Sequence, residues 1–169
     1  GFNIKFMFHR DYAQLPIFNG FSDRELEILD SLMEIAPFSS GQILFEQGSE
    51  ANFLHILLEG EVVIRFKPYD GPSILVANIL PGGVFGWSAI VGRKEYTSQA
   101  NSVQAGLTYR IRPQNVTLLC NQHPEIGEKF IGKLMSGIND RINTSHSQMR
   151  DSLNQGKKII DMYFHLLMS

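Results

Sequence analysis

The sequence predicts a mainly β domain with flanking helices, a double-stranded β-helix (jelly roll) of about eight strands. Three observations predict it. From 34 to 112 the chain runs in short apolar segments punctuated by Gly41, Gly48, Gly60, Gly71 and the Pro81-Gly82-Gly83 break. A capping-box signature opens a helix just before this stretch. Long helical spacing of apolar residues follows it. Closing the strands into a roll disposes of the exposed sheet edges that an open array would carry.

At 169 residues, with 43% apolar and 19% charged side chains, the chain suits one globular domain with a helical extension rather than a disordered segment. Its net charge of −2 and pI near 6.2 give it no basic face. Arg110 with Arg112 and Lys157 with Lys158 read as solvated pairs, so no nucleic-acid contact is expected within this chain. Cys120 is the single cysteine, which excludes an internal disulfide or a cysteine metal cluster. It reads as a small buried hydrophobe. No apolar run approaches the ~18 residues of a membrane span and no signal peptide is visible, so a cytoplasmic location and no membrane partner are expected.

The elements follow in order. Residues 1–20 are rich in aromatics (Phe2, Phe6, Phe8, Tyr12, Phe18) and form an N-terminal segment that could dock on a neighbouring surface. Ser22 as N-cap, Glu25 three residues on, and Leu26, Leu29, Leu32 and Met33 at helical spacing predict a helix over 23–33. Strands are predicted at 35–38, 42–46, 52–58, 62–66 and 73–80, with turns at Glu59-Gly60-Glu61 and 68–72. Two more follow at 96–102 and 105–112. Pro113 suits the first turn of a helix over 114–121. A second helix opens near Pro124-Glu125 and continues past Met149. Its residues Ile131, Leu134, Met135, Ile138, Ile142 and Met149 recur at near-heptad spacing and are predicted to form a homodimer interface. The chain thus divides into the segment 1–20, a β-roll with its capping helix at 21–112, C-terminal helices at 113–155 and an amphipathic tail at 156–169.

The stretch Phe85-Gly86-Trp87-Ser88-Ala89, leading to Tyr96-Thr97-Ser98, carries the functional signal. A glycine opening a short helical turn leaves backbone N–H groups unpaired and lets a ligand approach the main chain. Such a turn can cup an anion without side chains. These residues are the predicted ligand-binding set.

Several markers stand in a fixed order. Ile17-Phe18-Asn19-Gly20-Phe21-Ser22 precedes the first helix, then come Gly41-Gln42-Ile43-Leu44-Phe45-Glu46-Gln47-Gly48 and Phe53-Leu54-His55-Ile56-Leu57-Leu58-Glu59-Gly60-Glu61-Val62, and finally Phe85-Gly86. With this order and these gaps, 17–150 resembles the cyclic nucleotide-binding domain of bacterial Crp/Fnr-type regulators, and the 85–100 region resembles its phosphate-binding cassette. The resemblance implies a small-molecule effector, either a cyclic nucleotide or another small anionic ligand, with no resident cofactor. In that family a glutamate follows the cassette glycine and holds the ribose hydroxyl; here Trp87 stands there. An arginine nine or ten residues later pairs with the cyclic phosphate; here the count reaches Tyr96 or Thr97. Exchanging a charge-assisted contact for a neutral hydroxyl costs about 2–3 kcal/mol, on the order of 100-fold in affinity. The altered cassette therefore argues against ordinary cyclic AMP binding.

Three readings of the pocket follow. In one, the amides of Gly86, Ser88 and Ala89 still bind a ligand against an aromatic wall of Trp87 and Tyr96. In another, those rings plug the pocket and the fold serves as a ligand-free dimeric interaction scaffold. In the third, a displaced cation such as Arg93, Lys94 or Arg141 restores the missing charge.

Catalysis is not expected. The histidines His9, His55, His123, His146 and His165 form no His-x-His pair, and only His55 falls on a predicted roll strand, so neither a metal site nor a catalytic set is predicted. No nucleophile elbow or phosphate loop occurs. The sequence thus predicts a ligand-sensing module for signalling or transcription regulation, in which pocket occupancy shifts the helices after 113. After Met149 remain 20 residues, too few for the helix-turn-helix domain of many such regulators, so DNA contact would need a further domain.

Overall fold

The computed structural model describes residues 12–137. The expectations for 1–11, for Ile138, Arg141, Ile142 and Met149, and for the tail 156–169 lie outside the described residues. Within them, a 3₁₀ turn at Pro16–Phe18 leads to helix α1, Asp23–Leu32. Strands β1 (Met33–Phe38), β2 (Ile43–Phe45), β3 (Leu54–Phe66), β4 (Ile74–Ile79), β5 (Val84–Phe85) and β6 (Gln99–Ile111) follow. Helix α2 is Pro113–Gln122, and α3 runs over 124–137.

The start of α1 forms as its sequence dictates. The Glu25 N–H donates to Ser22 Oγ at 3.2 Å, and the Ser22 N–H donates to Glu25 Oε1 at 2.9 Å, so two orphan amides are satisfied reciprocally. Lys129 on α3 donates to both Glu25 oxygens and to the Gly20 carbonyl, tying the two helices together. The Ser22 backbone hydrogen bond, with Lys129 second, holds the Glu25 carboxyl below its ordinary pKa. Pro113 takes the first turn of α2, as the sequence predicts.

The strands are all antiparallel in the order β1-β6-β3-β4, with β2 added on β6 and β5 on β3. Six strands stand where about eight were predicted. The strands predicted at 52–58 and 62–66 merge into the single 13-residue β3, which begins at Leu54, and those at 96–102 and 105–112 merge into the 13-residue β6, which begins at Gln99 and ends at Ile111. Glu59-Gly60-Glu61 reads as a turn in sequence but is a bulged bend. The pairing of β3 with β6 shifts register three times between Leu57 and Val62, and Gly60 sits at φ 93°. Opposite it, a Cβ on Gly106 would lie 1.9 Å from the Glu59 carbonyl oxygen, so only glycine lets the two backbones cross. The bend lets the same two strands serve both halves of the roll.

Strand alternation then sorts the core. Leu54, Ile56 and Leu58 point toward the helices and pack with Leu29, Leu119 and Phe130. Leu57, Val62 and Ile64 point the other way and fill the roll with Val76, Ile79 and Phe85. On the helix side, Tyr109 donates to the buried carboxylate of Asp30, and burial, followed by that hydrogen bond, raises the phenol pKa. Helix α3 lays Ile126, Phe130 and Leu134 into this core, with Ile131 at its margin. Met135 is exposed on another side. Among the described residues no helix is long and apolar enough to cross a membrane.

Candidate functional site

Strand β5 places the cassette. Its Phe85 pairs with His55 on β3, and Gly86, at φ 83° and ψ 31°, turns the chain into a 3₁₀ turn at Trp87–Ala89. The left-handed conformation favours glycine. The turn uses part of its own backbone, since the Ala89 N–H donates to Gly86 O and the Arg93 N–H to Ser88 O. Phe85, Trp87, Ser88, Ala89, Tyr96 and Ser98 are all buried, and Thr97 is half-buried with no hydrogen-bond partner for its hydroxyl among the described residues.

The space over Gly86 is occupied by this chain. A Cβ there would meet the Phe53 carbonyl oxygen at 2.8 Å, the His55 ring at 3.4 Å and the Tyr96 ring at 3.5 Å. The expected aromatic wall of Trp87 with Tyr96 is not assembled. Trp87 points into the helix-side core, where its Nε1 has no partner among the described residues. Tyr96 packs instead with Ala51, Ala89 and Phe45. A turn of three residues has too little periodicity to reveal which side its tryptophan takes.

Tyr96 stacks on Phe45, with ring centroids 3.7 Å apart and planes 13° apart. Its hydroxyl accepts the Phe53 N–H at 3.0 Å and donates to the Phe53 C=O at 2.6 Å. Burial pushes its pKa up. The stack continues through Phe85 to His55, whose rings lie 4.8 Å apart and almost parallel. His55 Nδ1 is 3.0 Å from Thr108 Oγ1. Burial, aided by the charge of Arg110, lowers the His55 pKa to about 3, so the ring is neutral. Aromatic side chains thus close the roll toward this end.

Outside the stack lies an open groove of about 570 Å³, bounded by Phe45, Glu46, Glu50, Phe53, Tyr96 and Arg110. Arg110 is the residue that sequence reasoning missed. It pairs across the sheet with both Glu34 on β1 and His55 on β3, which aims its side chain at the groove. Its Nε donates to Glu34 Oε1 at 2.8 Å and its guanidinium lies 4.0 Å from the centre of the Phe53 ring. The predicted cations Arg93 and Lys94 are exposed on the cassette loop. Among the described residues no group of three or more His, Cys, Asp or Glu is placed to hold a metal.

The family model for the cyclic nucleotide-binding domain matches residues 36–123, which contain the cassette turn, the aromatic stack and Arg110 but not its partner Glu34. The chain is 24% identical over 119 residues to a CRP-like cAMP-activated global transcriptional regulator of Mycobacterium tuberculosis, covering 70% of this chain and 53% of that protein. It therefore spans about half the length of the curated relatives it matches. Among solved structures, a cyclic nucleotide-binding domain of Methylobacillus flagellatus superposes with a TM-score of 0.79 at 16% identity, over 87% of this chain and 85% of that one. A cAMP-binding acyltransferase of Mycobacterium smegmatis superposes with a TM-score of 0.69 at 20% identity, over 83% of this chain and 42% of that one. At these identities the superpositions speak for the fold.

Proposed function

This chain belongs to the cyclic nucleotide-binding domain family, and from that membership we propose that it is an effector-sensing regulatory module with an altered cassette. One observation carries the reading: the cradle over Gly86 is filled by the Phe53 carbonyl, His55 and Tyr96. A cyclic nucleotide in the family's pose would have to displace them. The proposed effector instead lies along the Phe45–Tyr96 face of the groove, where a planar molecule stacks and Arg110 supplies the charge that the cassette lacks. Of the predicted set, Tyr96 alone lines the groove; Phe85, Gly86, Trp87, Ser88, Ala89, Thr97 and Ser98 would act through the fold behind it rather than by touching the effector. Arg141, which lies outside the described residues, is proposed for the same effector.

The signal leaves through Trp87. It is fixed to the cassette turn but buried among Val116, Leu119 and Phe130 of α2 and α3, so motion of the turn shifts those helices. The effector must bind one helix arrangement better than the other for this to work. In this proposal α3 carries the shift to a second copy of the chain through Met135, together with Ile138, Ile142 and Met149, which lie outside the described residues. Ile131 and Leu134 support the helix from within the fold. The likeness to a transcriptional regulator supports gene regulation as the output. The likeness to an acyltransferase involves less than half of that enzyme and supports no transferase activity here.

Isothermal titration with cyclic AMP and cyclic GMP tests the altered cassette, and no saturable heat is expected. Tight binding of either, retained in Arg110→Gln, would overturn the reading. A thermal-shift screen of planar anionic metabolites should find a stabilising compound whose effect Arg110→Gln removes. The doubly hydrogen-bonded Tyr96 favours a second reading, a plugged interaction scaffold. A screen without a stabilising compound would select that reading.

A further inference from the structure

Where the roll meets its helices, a second recess of about 180 Å³ lies between Ser31, Glu34, Phe53, Arg110, Arg112 and Asn115. Two guanidinium groups converge there on one aromatic ring. The Arg110 and Arg112 guanidinium carbons stand 4.0 Å and 4.4 Å from the centre of Phe53, which places them within 8.4 Å of each other. The ring's π system attracts each of them. A single carboxylate, Glu34, answers the two charges, and it binds through Arg110 Nε alone. Arg112 makes no hydrogen bond or ion pair with any described residue, and the outer nitrogens of Arg110 are likewise uncommitted. The sequence shows only an Arg-x-Arg pair at a strand end; convergence on Phe53 comes from the fold.

We propose that this recess is a regulatory oxyanion site, separate from the cassette, that takes a phosphate group. Like charges fixed this close favour a doubly charged ligand that accepts from both forks. With ~30 Å³ for each water, the space holds a tetrahedral oxyanion and part of its hydration shell. The walls come from the end of α1, from β1 and β6, from Phe53 just before β3, and from the start of α2. A bound anion therefore bridges the roll and the helices. Phe53 and Arg110 also border the effector groove, so the two ligands share residues and are coupled. The phosphate group is either the free ion or part of a small nucleotide.

The site itself does not rest on the cassette reading, and Arg112, which does not border the effector groove, is the readout that belongs to it alone. Inorganic phosphate is titrated into the protein while the side-chain Nε–H resonances of Arg110 and Arg112 are followed by NMR, with chloride at matched ionic strength as control. Saturable shifts of both are expected with phosphate only. Arg112→Ala, which removes one exposed cation–π contact and should lower stability by no more than about 1 kcal/mol, should weaken binding about tenfold. Glu34→Gln, which removes the competing carboxylate, should tighten it. Absence of saturation, equal shifts with chloride, undiminished affinity in Arg112→Ala, or weaker binding in Glu34→Gln would each overturn the proposal. Adenosine 5′-monophosphate separates the sources: tighter binding than phosphate supports a nucleotide at this site, and equal or weaker binding supports the free ion.

Discussion

The hydroxyl of Tyr96 satisfies both backbone groups of Phe53, one residue before β3 begins, where no neighbouring strand does so. A position that in the family's pattern falls at or beside an arginine gripping a ligand here grips the protein's own main chain. The ring adds a stacked contact with Phe45. Position 96 has thus become part of the fold.

Tyr96→Phe keeps the stack and removes only the hydroxyl. It leaves the Phe53 N–H and C=O without their partner, at a cost of about 1–3 kcal/mol. Urea denaturation of the pair of proteins measures this. A loss within error of zero would mean that water serves the Phe53 backbone equally well.

Gly86 and Gly92 share φ 83°, but only Gly86 has close neighbours. Gly92→Ala should cost about 1–2 kcal/mol for the left-handed backbone alone. Gly86→Ala should cost clearly more, because its new Cβ meets the Phe53 carbonyl at 2.8 Å. Equal losses in thermal denaturation would show that the cradle yields easily, as ligand entry would require.

His55 gives the fold a pH dependence. Its pKa is about 3 in the folded chain against about 6.5 when exposed. As pH falls below about 6.5 the unfolded chain takes up a proton that the folded chain refuses. Stability is then lost at up to about 1.4 kcal/mol per pH unit until pH nears 3. Denaturation at pH 7, 6 and 5 in parallel with His55→Gln should show a steeper fall for the unaltered protein. Parallel curves would contradict a neutral buried imidazole.

Restoring the family's charged pair by Trp87→Glu with Tyr96→Arg should unfold the protein rather than create cyclic nucleotide binding. Trp87 is 3% exposed in the helix-side core, and a carboxylate without a partner there costs several kcal/mol. Thr97→Arg alone should fold, since position 97 is half-buried. Circular dichroism of the two variants decides the matter; a folded, cyclic AMP-binding double variant would mean that Trp87 can leave the core.

These cases show what the sequence made legible. The capping box of Ser22 and Glu25 and the proline opening α2 are local signals, and each forms where its spacing places it. The count of strands was not legible, because a glycine that bulges a long strand looks the same in sequence as one that ends it. Gly86 was found, but what lies above it depends on Phe53, His55 and Tyr96 arriving from elsewhere in the fold. Arg110 showed in the sequence only as a solvated pair with Arg112. Its role arises from the register that sets it beside Glu34 and His55.

Asp30 and Tyr109 join residues 79 apart in the chain, and β1 finds its partner only on β6. Such distant pairing is slow, on the order of milliseconds to seconds. On the ribosome, the first five strands would emerge before the one that joins the sheet together. Their apolar edges stay open until about residue 111 is made, so nascent chains depend on rapid synthesis or chaperone cover through that interval. Substitutions that weaken β6 should lower yield in the cell well before they harm the finished protein.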